Sequence, residues 1–152
     1  MFKNLFSKND VSKHAFAVVT GTGSGIGQAF ALQIAKRGGE VVCADINLIT
    51  AQKTADTINA AGGKAFAVQC DVTDLAQVEN LAVQAEQLLS APIDLVINNA
   101  GVGAGGRRIG DISMDDWKWV MNVNLWGVIH GCHVFAPKLR ALGRGGIINV
   151  AS

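Results

Sequence analysis

A glycine-rich segment near the N-terminus contains the first residues that could do chemistry. The run T-G-T-G-S-G-I-G at Thr20–Gly27 places Gly21, Gly25 and Gly27 at G-x-x-x-G-x-G spacing. Glycine at these positions allows a sharp turn, a close approach of the backbone to a phosphate, and tight packing of the helix that follows. The N-terminus of that helix would offer free N–H groups and a partial positive charge to the phosphates. The segment therefore predicts a phosphate-binding loop made by Gly21, Ser24, Gly25, Ile26 and Gly27.

The glycine loop alone does not identify its ligand, because a tight strand-to-helix turn without any ligand has the same composition. Its spacing differs from the G-x-G-x-x-G of the better-known dinucleotide fingerprint. It also lacks the Lys-Ser/Thr pair of a P-loop, which argues against ATP or GTP hydrolysis.

Asp45 adds a second feature of a dinucleotide site. It follows the loop by about twenty residues, at the end of an apolar run, where a carboxylate can bond the ribose hydroxyls of adenosine. The alternative interpretation is a strand-end carboxylate that caps the next helix. A 2′-phosphate at Asp45 would meet like-charge repulsion, and no Lys or Arg lies in the loop or just after Asp45. The sequence therefore favours NAD over NADP.

Strand and helix patterns alternate along the chain and place these residues at the ends of strands. Apolar runs predict strands at 15–20, 40–45, 64–70, 93–98 and 145–152. Helical spacing of apolar residues predicts helices at 26–37, 48–61, 74–90 and 113–142, the last with a capping box at Ser113–Asp116 and a kink or break at Pro137. A glycine-rich loop at 101–110 lies between the fourth strand and the last helix.

Repeated β-α-β units imply parallel strands with right-handed crossovers and helices on both faces. We expect an α/β fold, a Rossmann-type doubly wound parallel sheet, with its ligand at the carboxyl ends of the strands. Residues 1–14 are expected to form a polar lead-in, and residues 15–152 a dinucleotide-binding domain.

Composition argues against several other classes of protein. Charged residues make up 16% and the net charge is +1, which gives no electrostatic case for nucleic acid or an anionic membrane as partner. No secretory signal is visible, and no apolar stretch reaches the ~18 residues of a membrane span. Cys43, Cys70 and Cys132 lack C-x-x-C spacing, which predicts neither a metal site nor a disulfide. A cytoplasmic protein is expected.

Four further motifs, in order after the glycine loop, resemble those of the short-chain dehydrogenase/reductase family. They are C-D-V at 70–72, N-N-A-G at 98–101, V-N-L-W-G at 123–127 and G-I-I-N-V-A-S at 146–152. N-N-A-G is highly specific to this family, and the resemblance covers nearly the whole chain from Ala15 onward. It implies an NAD(P)-dependent oxidoreductase that moves hydride between a secondary alcohol or ketone and nicotinamide.

The resemblance also implies cofactor-binding roles for individual residues. Asp71 would bond the adenine, with help from the backbone of Val72. Asn99 and Gly101, within N-N-A-G, would brace the sheet and line the nucleotide pocket. A plain turn at Asn98–Asn99 is the alternative.

Two residues correspond to the family's catalytic set. Asn124 would hold a water of the proton relay through its main-chain carbonyl, and Ser152 would bond the substrate oxygen and polarise the carbonyl. A helix-surface amide and an ordinary strand-end hydroxyl are the alternatives. The family's acid/base, a Tyr-x-x-x-Lys motif beyond the serine, is absent, and the chain contains no tyrosine. We therefore expect a sheet truncated after the fifth strand.

Other functions and partners follow from the same residues. A nucleotide-binding fragment without catalysis is the main alternative, since the acid/base pair is missing. An S-adenosylmethionine methyltransferase also uses a glycine loop and an acidic residue, but N-N-A-G argues against it. His130 and His133 could present two imidazoles on one helix face, yet no carboxylate or cysteine completes a metal site, so packing or surface roles are expected. The last helix carries three tryptophans, and the family resemblance implies that this helix forms a homo-oligomer through Trp117–Leu139 in the full-length protein.

Overall fold

Five parallel strands form the centre of the computed structural model, which describes residues 11–106 and 108–151. Their order across the sheet is β3-β2-β1-β4-β5, so strands β2 and β3 are added on one side of β1 and strands β4 and β5 on the other. This order is that of a Rossmann fold, whose ligand crevice opens where the strand order reverses. The predicted α/β doubly wound sheet is confirmed. The strands are β1 Phe16–Thr20, β2 Glu40–Asp45, β3 Lys64–Gln69, β4 Leu95–Asn98 and β5 Gly146–Asn149.

Helices cover both faces of the sheet. The central strands therefore bury both of their sides and are almost continuously apolar, as expected for a parallel sheet. Val18 and Val96 face α3 and α5, where they meet Leu81 and Phe135. Their neighbours in the strands face α1 and α2 on the other side. The helices are α1 Gly25–Lys36, α2 Leu48–Ala60, α3 Leu75–Leu88, α4 Met114–Met121 and α5 Gly127–Leu142.

The helix predicted over 113–142 has a different interior from the one expected. Ser113 caps α4 as predicted, since its Oγ accepts a hydrogen bond from the N–H of Asp116 at 3.0 Å. A π-helical segment, Asn122–Trp126, then separates α4 from α5. A kink or break was expected at Pro137; the helix does not break there, because α5 continues through it to Leu142. Pro137 is exposed, so the carbonyl that loses its N–H partner lies on the solvent side of the helix.

Two expected absences concern the described part of the chain. Within residues 11–106 and 108–151, no helix is both long enough and apolar enough to cross a membrane. Cys43, Cys70 and Cys132 form no disulfide.

Candidate functional site

The segments that follow β1, β2, β3 and β4 meet in one cleft of about 440 Å³. Each segment leaves the carboxyl end of its strand, so the strand order brings together residues that are far apart in the sequence. Ile46, Cys70, Ala100, Val102, Trp119 and Val123 complete the lining. All ten residues that the sequence analysis assigned to a cofactor line this cleft: Gly21, Ser24, Gly25, Ile26, Gly27, Asp45, Asp71, Val72, Asn99 and Gly101.

The glycine loop requires its glycines at two points. Gly21 has φ of +69°, a conformation that a side chain would strain, and a Cβ there would lie 2.8 Å from the Cα of Ala100. A Cβ on Gly27 would overlap the carbonyl oxygen of Gly21 and approach Asn99 Nδ2 to 2.5 Å. The first turn of α1 therefore packs directly against the start of the loop.

The N-terminus of α1 differs from those of α2, α3 and α4. Asn47, Asp74 and Ser113 cap those three helices with side-chain hydrogen bonds, whereas Ser24 makes no such bond at the N-cap of α1. Gly25 has φ of +56°, and a Cβ there would meet open space. The first turn of α1 thus presents main-chain N–H groups to the cleft, an arrangement that suits a phosphate.

Asp45 lines the same cleft and is bonded directly to the glycine loop. Its Oδ2 accepts a hydrogen bond from the N–H of Gly23 at 2.8 Å, and its Oδ1 accepts one from the N–H of Asn47 at 2.9 Å. The helix-capping alternative does not apply, because Asn47 caps α2 through bonds from Ile49 and Thr50. Sequence reasoning missed Gly23, although the alternating glycines of T-G-T-G-S-G-I-G were a signal for it.

A tight turn after β3 places Asp71 and Val72 at the cleft. Asp71 Oδ1 accepts from the N–H and the hydroxyl of Thr73, at 2.9 and 2.8 Å. The N–H of Asp71 donates to Gln77 Oε1 at 2.9 Å. His130 Nδ1 lies 2.9 Å from the carbonyl oxygen of Val72. His130 therefore contacts a residue of the cleft, which its sequence position did not indicate.

Asn99 joins the segment after β4 to the glycine loop. Its Nδ2 donates to the carbonyl oxygens of Thr20 and Gly21, at 2.9 and 3.3 Å. In return, Thr20 Oγ1 accepts from the N–H groups of Asn99 and Ala100, at 3.0 and 3.1 Å. Asn98 is buried, and its Nδ2 donates to Asn149 Oδ1 of β5 at 2.8 Å. Thr20 is a second residue that sequence reasoning missed.

The two predicted catalytic residues differ in what the structure shows of them. Asn124 lies in the π-helical segment, where the N–H of Gly127 bonds the carbonyl of Asn122, five residues back. Asn124 Oδ1 accepts a hydrogen bond from the N–H of Val102 at 2.8 Å, and its Nδ2 donates one to the carbonyl oxygen of Val102 at 2.9 Å. Asn124 therefore fixes Val102, which lines the cleft, while Asn124 is not itself part of the lining. Ser152 lies outside the described residues.

Nucleophilic and metal chemistry find little support at this cleft. Burial, together with the nearby charges of Asp71 and Asp74, raises the pKa of the Cys70 thiol to about 12, so the thiolate is scarce at neutral pH. In the described ranges, no group of three or more His, Cys, Asp or Glu side chains could hold a metal ion. What the cleft offers is a set of N–H donors in the first turn of α1, the carboxylates of Asp45 and Asp71, and apolar walls.

The known proteins that this chain resembles include oxidoreductases and dehydrogenases. The sequence model of the family described as short chain dehydrogenase matches residues 15–152. The probable oxidoreductase EphD of Mycobacterium tuberculosis is 43% identical over 135 residues, covering 88% of this chain and 22% of EphD. Cyclohexanol dehydrogenase of Acinetobacter sp. is 39% identical over 138 residues, covering 90% of this chain and 54% of that protein. This chain thus spans between about a fifth and about half of these relatives' lengths.

Solved structures show the same similarity. A short-chain dehydrogenase/reductase of Burkholderia phymatum in complex with NAD has a TM-score of 0.86 and 42% identity, covering 92% of this chain and 50% of that one. A metagenomic short-chain oxidoreductase in complex with NADP has a TM-score of 0.84 and 31% identity, covering 93% of this chain and 64% of that one.

Proposed function

Because the chain belongs to the short-chain dehydrogenase family, we propose that its cleft binds NAD and that the protein is an NAD-dependent oxidoreductase. Its reaction would move hydride between a nicotinamide and a secondary alcohol or ketone of small size. One observation carries the proposal: four segments that are distant in the sequence meet in a single cleft with the donors and the carboxylate that a dinucleotide needs. The nucleotide-binding domain would comprise residues 15–152.

Each part of a dinucleotide has a matching part of the cleft. The N–H groups in the first turn of α1, which no side chain caps, would hold the pyrophosphate. The carboxylate of Asp45 would accept hydrogen bonds from the adenosine ribose. By the family resemblance, Asp71 and the backbone of Val72 would hold the adenine. Asn99 would act mainly by fixing the glycine loop, since its amide is bonded to Thr20 and Gly21.

The preference for NAD over NADP depends on the charge of Asp45. The N–H groups of Gly23 and Asn47 hold both carboxylate oxygens in place. A 2′-phosphate on the adenosine ribose would approach this fixed negative charge and be repelled. The similar structures include one in complex with NAD and one in complex with NADP, so the family accommodates both and Asp45 supports the assignment for this chain.

The protein's own part in the reaction is to bind, orient and polarise. A bound nicotinamide dinucleotide supplies the chemistry of hydride transfer. Ser152 would donate a hydrogen bond to the substrate oxygen and so polarise the carbonyl. Asn124 would hold a relay water through its main-chain carbonyl. The widened helical turn around Asn124 supports that role, because π-helical segments disturb the usual main-chain bonding and occur often at functional sites.

A second candidate function follows from one observation, the lack of any tyrosine among the 152 residues. A polypeptide of these residues has no Tyr-x-x-x-Lys acid/base pair and would bind the nucleotide without turnover. An NAD-dependent dehydrogenase rate from the purified 152-residue polypeptide with a secondary alcohol such as cyclohexanol would contradict this candidate.

Assembly and location are further parts of the proposal. The helical stretch Trp117–Leu139 exposes large apolar side chains, with Trp119 49% and Trp126 50% exposed. Such a surface supports a homo-oligomer formed through this stretch. A small-molecule substrate, rather than nucleic acid or a membrane, is proposed as the partner of the cleft. The three cysteines without a disulfide support a cytoplasmic location.

Calorimetric titration with NAD, NADP and S-adenosylmethionine tests the proposed ligand. We expect NAD to bind one equivalent, NADP to bind more weakly, and S-adenosylmethionine to give no heat of binding. Binding of S-adenosylmethionine in preference to NAD would refute the oxidoreductase assignment. Tighter binding of NADP would refute the role given to Asp45.

A further inference from the structure

The turn after β3 receives a side-chain contact from a distant helix. His130 of α5 lies 58 positions after Val72 in the chain, and its Nδ1 is 2.9 Å from the Val72 carbonyl oxygen. A carbonyl oxygen only accepts hydrogen bonds, so Nδ1 carries its proton and donates. Val72 is only 8% exposed, and its carbonyl is therefore poorly placed to bond water instead.

The close approach of α5 to this turn has its own cause in the sequence. Gly127 lies three residues before His130, on the same face of α5. A Cβ on Gly127 would lie 2.7 Å from Val72 Cγ2 and 3.1 Å from Val72 Cβ. The absence of a side chain at Gly127 thus lets the helix come near enough for the imidazole to reach the carbonyl. The ring of Trp126 lies beside the imidazole, with centroids 6.1 Å apart.

The Asp71–Val72 turn is held from both of its sides. Within the turn, Asp71 Oδ1 accepts two bonds from Thr73, and the Asp71 N–H donates to Gln77. These bonds fix Asp71 but do not reach the Val72 carbonyl. His130 supplies the bond to that carbonyl and so sets the position of the wall that Val72 forms in the cleft.

We propose that His130 is a positioning residue for the nucleotide, which acts by fixing the Asp71–Val72 turn at the adenine side of the cleft. This inference rests on the proposed function, because only a bound adenine gives the turn its role. It assigns His130 no contact with the ligand and no proton transfer. His133, one turn further along α5, is exposed and has no part in this role.

Two substitutions at His130 separate the hydrogen bond from general packing. His130→Leu removes the donor and keeps a side chain of similar bulk. His130→Asn restores a donor, because the asparagine amide nitrogen is attached at the same distance along the side chain as imidazole Nδ1. His133→Leu and His133→Asn are the matched controls on the exposed side of α5.

Calorimetric titrations with AMP, NAD and nicotinamide mononucleotide give the first readout. We expect His130→Leu to weaken AMP and NAD about tenfold, the equivalent of one lost hydrogen bond. Nicotinamide mononucleotide has no adenine, so its affinity should stay the same. His130→Asn should recover most of the loss, and both His133 variants should bind as the wild type does. Equal losses for AMP and nicotinamide mononucleotide would show general loosening and refute the proposal.

Amide hydrogen exchange of the peptide covering residues 70–74 gives the second readout and needs no ligand. We expect faster exchange in His130→Leu and near wild-type exchange in His130→Asn. Wild-type exchange together with wild-type AMP affinity in His130→Leu would overturn the proposal. Another outcome is that exchange is faster in His130→Leu while the wild-type protein binds neither NAD nor AMP. That result would refute the proposed function and leave the contact between His130 and the turn supported.

Discussion

One added methyl group at Gly27 tests whether the glycine loop is packed as described. In Gly27→Ala, the new Cβ would overlap the carbonyl oxygen of Gly21 and lie 2.7 Å from its carbonyl carbon. It would also lie 2.5 Å from Asn99 Nδ2. The first two atoms belong to the main chain, so no side-chain rotation relieves the overlap, and the loop has to move away from α1.

The expected cost follows from two opposing effects. Overpacking a well-packed site costs about 1–3 kcal/mol. We expect the cost of Gly27→Ala to be near about 3 kcal/mol, because the main-chain atoms that the new Cβ would meet cannot rotate away. The higher helix propensity of alanine returns up to about 1 kcal/mol. We therefore expect the free energy of unfolding to fall by about 2 kcal/mol. Movement of the loop also strains the hydrogen bonds from Asn99 to Thr20 and Gly21. NAD affinity should therefore fall about 30-fold, which corresponds to about 2 kcal/mol of binding free energy.

Urea denaturation and calorimetric titration with NAD measure the two quantities. Gly103→Ala is the matched control, since Gly103 is exposed, lacks a positive φ, and a Cβ there would meet open space. This control should keep wild-type stability to within about 1 kcal/mol. The reasoning is refuted if Gly27→Ala matches Gly103→Ala in both stability and NAD affinity.

Three further predictions concern other parts of the chain. Asp45→Ala should weaken NAD about tenfold in calorimetric titrations, through the loss of a ribose acceptor, and NADP should bind at least as tightly as before because the repulsion of its 2′-phosphate is removed; equal losses for both would count against Asp45 as the selector. Burial raises the pKa of the Glu40 carboxyl, but hydrogen bonds from Ser90 and Lys64 outweigh it and hold the pKa below 4.5. Glu40 therefore stabilises the fold above its unfolded pKa, and this contribution is lost as pH falls through its lowered folded pKa. Glu40→Gln should lower stability in urea at pH 7, with a difference that shrinks as the pH falls below 4.5; a constant difference would contradict this. Ser113→Ala should cost about 1 kcal/mol through loss of the α4 cap, and an unchanged urea midpoint would disprove the cap's contribution.

The kinds of elements and their order could be predicted because they depend on local patterns. Buried parallel strands are apolar on both sides, as Val18 and its neighbours in β1 are. The cap at Ser113 follows from side-chain chemistry within one helical turn. The interior of the last helix could not be predicted in this way. Proline is the strongest known helix breaker, yet α5 continues through Pro137, while the local sequence at Asn122–Trp126 gives no signal that distinguishes a π-helical segment from an α-helix.

The site could be predicted in its main residues but not in the contacts that hold them. Glycine spacing and the strand-end carboxylate of Asp45 are local signals, whereas Asp71, Val72, Asn99 and Gly101 came from the family resemblance, and all of these residues line one cleft. Thr20 and His130 act across 79 and 58 positions of the chain, on Asn99 and Val72 respectively. Nothing in the immediate sequence of either residue indicates its partner, because the partner is set by the folded sheet. Ser152 stays a prediction that rests on the family resemblance.

Chemical-shift mapping of NAD onto the ¹⁵N-labelled chain tests the central claim most directly. The claim is that the segments after β1, β2, β3 and β4 form one nucleotide site. We predict that saturating NAD shifts the amide signals of Gly21–Gly27, Asp45, Asp71–Val72 and Asn99–Gly101, and leaves the amino ends of the strands, around Lys64 and Ser90, unchanged. Shifts confined to other regions, or no shifts at saturating NAD with a folded spectrum, would contradict it.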